Sequence, residues 1–211
     1  MRRAISFSLL AGGIVLALAA RVSTAQDIAP NALAKSVTQD VITEIRNNSA
    51  AHDPAAIARL VEAKVLPHFD FSRMTRLAMG RNWRLISPEQ QQALIAEFKT
   101  LLVHTYSASL TLYRNQRIEF DPLRAAPGDT DVTVRSLVRQ SGAQPIRIDY
   151  EMEKEPSGWK VYNVSIDGIS LVVTYRDTFA NQVREHGVDG LIKSLADKNH
   201  SNDVLTKRDR A

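Results

Sequence analysis

Apolar residues recur every three or four positions through the first half of the chain and every second position through much of the second half. Leu33, Val37, Val41 and Ile45 fall at i, i+4, i+8 and i+12. They predict a helix from Asn31 to about Asn48, with Pro30 suited to its first turn. Asp53-Pro54 is an N-cap followed by proline, and Ile57, Leu60, Val61 and Val65 carry the next stripe up to Pro67. Asp70 is placed to cap a short helix through Met74, Leu77 and Ala78, which Gly80 stops. Ser87-Pro88-Glu89-Gln90 is a capping box with proline in the first helical position. It opens the longest helix, marked by Leu94, Phe98, Leu101, Leu102, Tyr106, Leu110 and Tyr113. About 26 residues at 1.5 Å per residue make a rod of about 39 Å.

The period then changes to two. Ile118 and Phe120, then Val132, Val134 and Val138, then Ile146, Ile148, Tyr150 and Met152 alternate with charged or polar neighbours. Such segments read as strands with one wet and one buried face. The turns Ala126-Pro127-Gly128-Asp129 and Ser141-Gly142 make the sheet antiparallel. A fourth strand, Trp159 to Ile166, follows Pro156-Ser157-Gly158, and its apolar residues fall on both faces. That pattern calls for a β-bulge or for cover on both sides. Two closing helices, about Leu171–His186 and Val188–Lys198, flank Gly187. Residues 200–211 are polar and expected to fray. The fold class predicted is α+β: a curved antiparallel four-stranded meander wrapped by helices, one domain over residues 26–199.

Charge adds a segment that the periodicity alone does not explain. The chain has 211 residues, 27 of them Lys or Arg and 23 Asp or Glu, a formal charge of +4. Three of those cations, Arg2, Arg3 and Arg21, lie in the first 25 residues, which hold no acid. Ala4 to Ala20 is mainly apolar, and Ser23-Thr24-Ala25 supplies the small residues of a cleavage site. Residues 1–25 therefore read as a secretory signal peptide, removed before Gln26. The remainder is near charge balance, so no basic footprint for nucleic acid is expected. There is no cysteine, hence no disulfide, no thiolate chemistry and no lipoprotein anchor. The expectation is an exported soluble monomer held by its core, in the periplasm if the source is a Gram-negative bacterium.

Motifs for bond-making chemistry are sparse. The five histidines have no metalloprotease spacing, and His68-Phe69-Asp70 sits where Asp70 has a helix to cap. No metal and no cofactor are expected. Gly168-Ile169-Ser170-Leu171-Val172 lacks the second glycine of a nucleophile elbow, so Ser170 reads as an N-cap. What stands out is a continuous apolar set. Phe98, Leu102, Tyr106, Leu110 and Tyr113 lie on the long helix, Val132, Val134, Ile146, Ile148 and Tyr150 on the sheet, and Val172, Tyr175 and Phe179 on the closing helix. Periodicity leaves open whether these fill a core or line a cavity for an apolar ligand. None of the inward positions is Asp, Glu, His or Lys, which an enzyme on the same scaffold would need.

Several motifs in order resemble the MlaC, or toluene-tolerance, family. They are Val65-Leu66-Pro67-His68-Phe69-Asp70-Phe71, Gly80-Arg81-Asn82-Trp83-Arg84, Ser87-Pro88-Glu89-Gln90 and Tyr113-Arg114-Asn115-Gln116. Trp159-Lys160-Val161, Asp167-Gly168-Ile169-Ser170-Leu171-Val172 and Gly187-Val188-Asp189-Gly190-Leu191 continue the match, which runs from about Leu33 to Asn199. Asp167 stands where the family pattern has Glu. The resemblance implies an NTF2-like scaffold enclosing phospholipid acyl chains in an apolar cavity. It implies transfer between an outer-membrane lipoprotein–porin complex and an inner-membrane ABC transporter bearing an MCE-domain ring. A hopanoid is the second choice of cargo, and an NTF2-like enzyme acting on an apolar substrate is the reading from another class. At the cavity mouth Tyr106 and Tyr113 can keep their hydroxyls wet, and Arg176 can approach a phosphate. Arg135, Arg139 and Arg147 fall on the opposite sheet face by strand parity and are the docking candidates.

Overall fold

The computed structural model describes residues 28–47, 53–111 and 116–208, leaving aside the side chains of 108, 111 and 203–208. Residues 1–25, expected from the sequence to be a signal peptide, and Tyr113 lie outside the described residues. Five helices and five strands follow in the order α1 (Pro30–Asn47), α2 (Pro54–Lys64), α3 (Phe71–Met79), α4 (Pro88–Thr111), β1 (Arg117–Phe120), β2 (Asp131–Arg139), β3 (Ile146–Glu155), β4 (Gly158–Ile166), β5 (Ile169–Ser170) and α5 (Leu171–Arg208).

The helix starts are set by side chains. Asp53 accepts from the backbone N–H groups of Ala55 and Ala56, and Asp70 accepts from that of Arg73 at 2.8 Å. The capping box closes in both directions: Gln90 N–H donates to Ser87 Oγ and Ser87 N–H donates to Gln90 Oε1. Ser170 caps α5, its hydroxyl accepting from Val173 N–H at 3.1 Å. Between α3 and α4 the chain passes through a short 3₁₀ stretch, Gly80–Leu85, that the periodicity did not show. The two closing helices form one long element broken at Gly187, whose backbone (φ 70, ψ −179) leaves the helical region. The second part continues to Arg208, past the end near Lys198 that the falling hydrophobicity suggested.

The sheet is an antiparallel meander in the order β1-β2-β3-β4-β5. The fifth strand, added after the Asp167-Gly168 turn, is two residues long, too short for a period-two signal. Val132 faces Met152, Val134 faces Tyr150, and Ile148 faces Ile166. The register shifts once: Glu151 pairs with Asn163 and Met152 with Val161, so Tyr162 is the extra residue of a bulge. The shift rephases β4. Trp159 and Val161 before it, and Val164 and Ile166 after it, come to the same face.

Phe69 bridges Val161 in parallel and Asp70 N–H donates to Val161 O at 2.9 Å, so the entry to α3 covers the open edge of β4. The helices bury their own core, with Met74, Leu94, Phe98, Leu101, Val172, Phe179 and Leu191 at its centre. Phe98 packs edge-on against Tyr175 and Phe179 with ring centroids 5.0 and 5.1 Å apart.

Gly187 occupies a backbone region that residues with a Cβ avoid. Replacing it with Ala should cost about 1–3 kcal/mol, read as a lower urea midpoint at unchanged m-value. An unchanged midpoint would mean that the two parts of α5 need no break there.

Candidate functional site

The helical core and the sheet do not close on each other everywhere. Between the inner face of the sheet, α1 and the C-terminal half of α4 lies a cavity of about 600 Å³. The sheet contributes Ile118, Val138, Ile148, Tyr150, Met152, Val161, Val164 and Ile166. Helix α1 contributes Leu33, Val37, Val41 and Ile45, one residue per turn, and α4 contributes Leu102, Tyr106 and Leu110. Phe69, Phe71 and Met74, at the start of α3, close one side. Among the described residues the wall has no Asp, Glu, Lys or Arg. A space so lined favours apolar matter over water, because water would find few partners there.

The polar groups are few and placed unevenly. Ser107 is buried in the wall, and its hydroxyl has no hydrogen-bond partner among the described residues. Burial raises the Tyr150 hydroxyl, opposed by a hydrogen bond with Ser136, so the phenol stays neutral. Burial likewise raises Tyr106, helped by the nearby Tyr175. His68 lies on the wall; burial, with the neighbouring Lys160 cation, lowers its pKa below the ordinary 6.5 and keeps the imidazole uncharged near pH 7. Gln116, Gln140 and Gln144 gather at one end, where Gln116 Nε2 donates to Gln140 Oε1 at 3.2 Å. There Ser109, Gln140, Ala143, Gln144 and Ile146 are exposed members of the wall, which marks this end as the mouth.

Six of the thirteen expected lining positions meet at the cavity: Leu102, Tyr106, Leu110, Ile146, Ile148 and Tyr150. Phe98, Val172 and Tyr175 pack in or against the helical core instead. Val132 and Val134 are on the inner sheet face but are packed into the sheet-side core with Trp159. Arg176 is exposed, and its Nε donates to Leu77 O at 3.2 Å, which ties it to α3. Tyr113 is outside the described residues. Sequence reasoning missed α1 as a wall, although its i, i+4 stripe was the signal. It also missed His68, whose role beside Asp70 looked purely local.

The arginines separate by neighbour. Arg135 lies opposite Asp149 in the β2–β3 register, and Arg139 Nε contacts Glu119 at 2.8 Å. Arg147 is exposed and its N–H donates to the Asp167 carboxylate at 2.8 Å. All three alternate with wall or core residues, so they face away from the cavity. Among the described residues no group of three or more His, Asp or Glu side chains could hold a metal, and no helix is long and apolar enough to cross a membrane.

The family profile described as MlaC protein matches residues 35–197. The toluene tolerance protein Ttg2D of Pseudomonas putida is 27% identical over 186 residues, 86% of each chain. The intermembrane phospholipid transport system binding protein MlaC of Haemophilus influenzae is 24% identical over 197 residues, 90% of each chain. A phospholipid-binding protein of Ralstonia solanacearum, solved at 1.53 Å in complex with a phospholipid, is 40% identical with a TM-score of 0.76. The alignment covers 82% of this chain and 98% of that one.

The lowered pKa of His68 fixes a sign. The unfolded chain takes up its proton first, so the stability that neutral His68 contributes is complete above about pH 6.5 and is lost as pH falls through the folded value. The stability advantage of the wild type over His68→Gln should be constant from pH 8 to 7 and shrink towards pH 5. A constant difference down to pH 5, by urea titration, would show that His68 is not held neutral by its site.

Proposed function

The chain belongs to the MlaC family, and on that premise we propose that it is a phospholipid carrier that holds acyl chains in the cavity beneath its sheet and passes lipid between membranes without changing a bond. The uncharged wall around about 600 Å³ carries this reading. A carrier is needed on physical grounds. At about 0.8 kcal/mol per methylene, exposing two chains of some fifteen methylenes each costs on the order of 24 kcal/mol. A cavity that offsets most of that cost makes transfer through water feasible. The wall supports carriage over catalysis, since no Asp, Glu, Lys or Arg lines it among the described residues and its one histidine, His68, has no carboxylate on the wall to act with.

The proposed lipid contacts are Leu102, Tyr106, Leu110, Ile146, Ile148 and Tyr150, joined by Val37 and Val41 of α1. Residues 1–25 act as the export signal, the mature chain works in the periplasm as a monomer, and no cofactor takes part. Its partners on this reading are an outer-membrane lipoprotein–porin complex and an inner-membrane ABC transporter bearing an MCE-domain ring. Arg135, Arg139 and Arg147, on the face away from the cavity, steer those encounters.

Native mass spectrometry of the mature protein, followed by lipid extraction, should find phospholipid in stoichiometric amount. Only traces of mixed composition would contradict the reading, and a polycyclic lipid would replace the cargo. Val37→Glu opposes acyl chains with a charge on a helix that is half-exposed in the empty protein. It should lower lipid content at least tenfold, about 1.4 kcal/mol or more, while circular dichroism stays as in the wild type. Normal lipid content would remove α1 from the binding wall. Reversing Arg147 to Glu should slow transfer to a partner complex, less so in added salt, with bound lipid and melting temperature near wild type. Lost cargo at unaltered partner binding would instead place Arg147 at the mouth.

A further inference from the structure

Two large apolar side chains stand exposed on the last strands of the sheet, Ile146 at 44% and Ile169 at 65%, and Val173, at 52%, follows in α5. Single exposed apolar residues are ordinary. These are not scattered. Ile146 opens β3 and is part of the cavity wall. Two residues on, Ile148 lies opposite Ile166, and Ile166 lies opposite Ile169. Residues directly opposite share a face, so Ile148, Ile166 and Ile169 form a row that crosses the strands on the cavity side. Its first two members line the cavity, and the third stands past the wall on the last strand. Val173 follows Ile169 by four residues, in the first turn of α5.

The turn before Ile169 is held in place. Asp167 N–H donates to Arg147 O at 2.9 Å and Arg147 N–H donates to the Asp167 carboxylate at 2.8 Å, with Asp167 itself at φ 49. Ser170 ties the next residue pair to β4 through Asn163, at 2.9 Å. The exposed isoleucine therefore rests on a fixed turn.

We infer that this row is the path by which an acyl chain enters and leaves the cavity. The inference rests on the reading of the protein as a phospholipid carrier and concerns only the route. A chain drawn out past Gln116, Gln140 and Gln144 meets amides and water at once. A chain drawn across Ile148, Ile166 and Ile169 passes from one apolar side chain to the next, so its methylenes meet water a few at a time. Ile146, at the glutamine-lined mouth, lies two residues from Ile148 and on the same face of β3. A headgroup can stay hydrated by the glutamines while its tails lie along the row.

The test compares mature wild type, Ile169→Asn, the Ile169→Asn/Val173→Asn double variant and Leu85→Asn as a control. Leu85 is exposed and lies outside both the row and the cavity wall. Uptake and release of a fluorescent phosphatidylglycerol are followed by stopped flow against vesicles of phosphatidylethanolamine and phosphatidylglycerol. Ile169→Asn should slow uptake and release together by about tenfold, the double variant by more, with lipid content at equilibrium and melting temperature unchanged. Leu85→Asn should exchange as the wild type does. Wild-type exchange by both row variants, with normal lipid content, overturns the path and leaves the carrier reading intact. Equal slowing by Leu85→Asn also overturns it. Variants that exchange normally with vesicles and fail only with a protein acceptor make the row a docking surface, which overturns it as well. A wild type that takes up no lipid is the separate failure of the carrier reading.

Discussion

The bulge at Tyr162 decides what the inner face of the sheet is made of. Without the extra residue, a strict period of two would send Trp159 and Val161 to one side and Val164 and Ile166 to the other, and the wall would change character halfway along β4. With it, the four share one face and β4 turns an unbroken apolar row to the inside. The displaced residues are satisfied on the other side. Tyr162 Oη donates to Asp131 at 2.7 Å, Asn163 Nδ2 donates to Glu151 at 3.1 Å, and Asn163 Oδ1 accepts from Ser170 and from Val172 N–H. Arg73 stands 3.5 Å over the Tyr162 ring and pairs with both Asp131 and Glu153. A helix, three strands and the start of α5 thus hold the bulge in register.

Stability and cavity are assigned to different parts of the same elements. Along α4, Leu94, Phe98 and Leu101 pack into the helical core, while Tyr106 and Leu110, nearer the C-terminus, turn to the cavity. Rings and methyls that interdigitate at crystal-like density need no ligand. The helical core closes around Phe98 and Phe179 with side chains of its own helices. The entry to α3 links the two regions: Met74 belongs to the helical core and the cavity wall at once.

Most of the architecture was legible because local chemistry and global packing agree. Asp53, Asp70, Ser87 and Ser170 announce helix starts by residue type, and each one caps. The mixed faces of Trp159–Ile166 announce the bulge. Periodicity reports that a residue is buried and stays silent on what it is buried against. Phe98, Val172 and Tyr175 carry the same apolar signature as Leu102 and Ile148, yet they meet other helices. Helix α1 shows the same limit, since nothing in Leu33, Val37, Val41 and Ile45 tells a core stripe from a cavity wall. His68 was hidden by its neighbour Asp70, whose capping role explains the local sequence completely.

The central claim is that lipid lies against the sheet and α1, and not within the helical core. Methyl-labelled protein loaded with phospholipid carrying labelled acyl chains tests it by nuclear Overhauser contacts. The account predicts contacts from acyl protons to the methyls of Val37, Ile148, Val164 and Leu102, and none to those of Val172 or Leu191. Contacts to Val172 and Leu191 in place of Val37 and Val164 would contradict it.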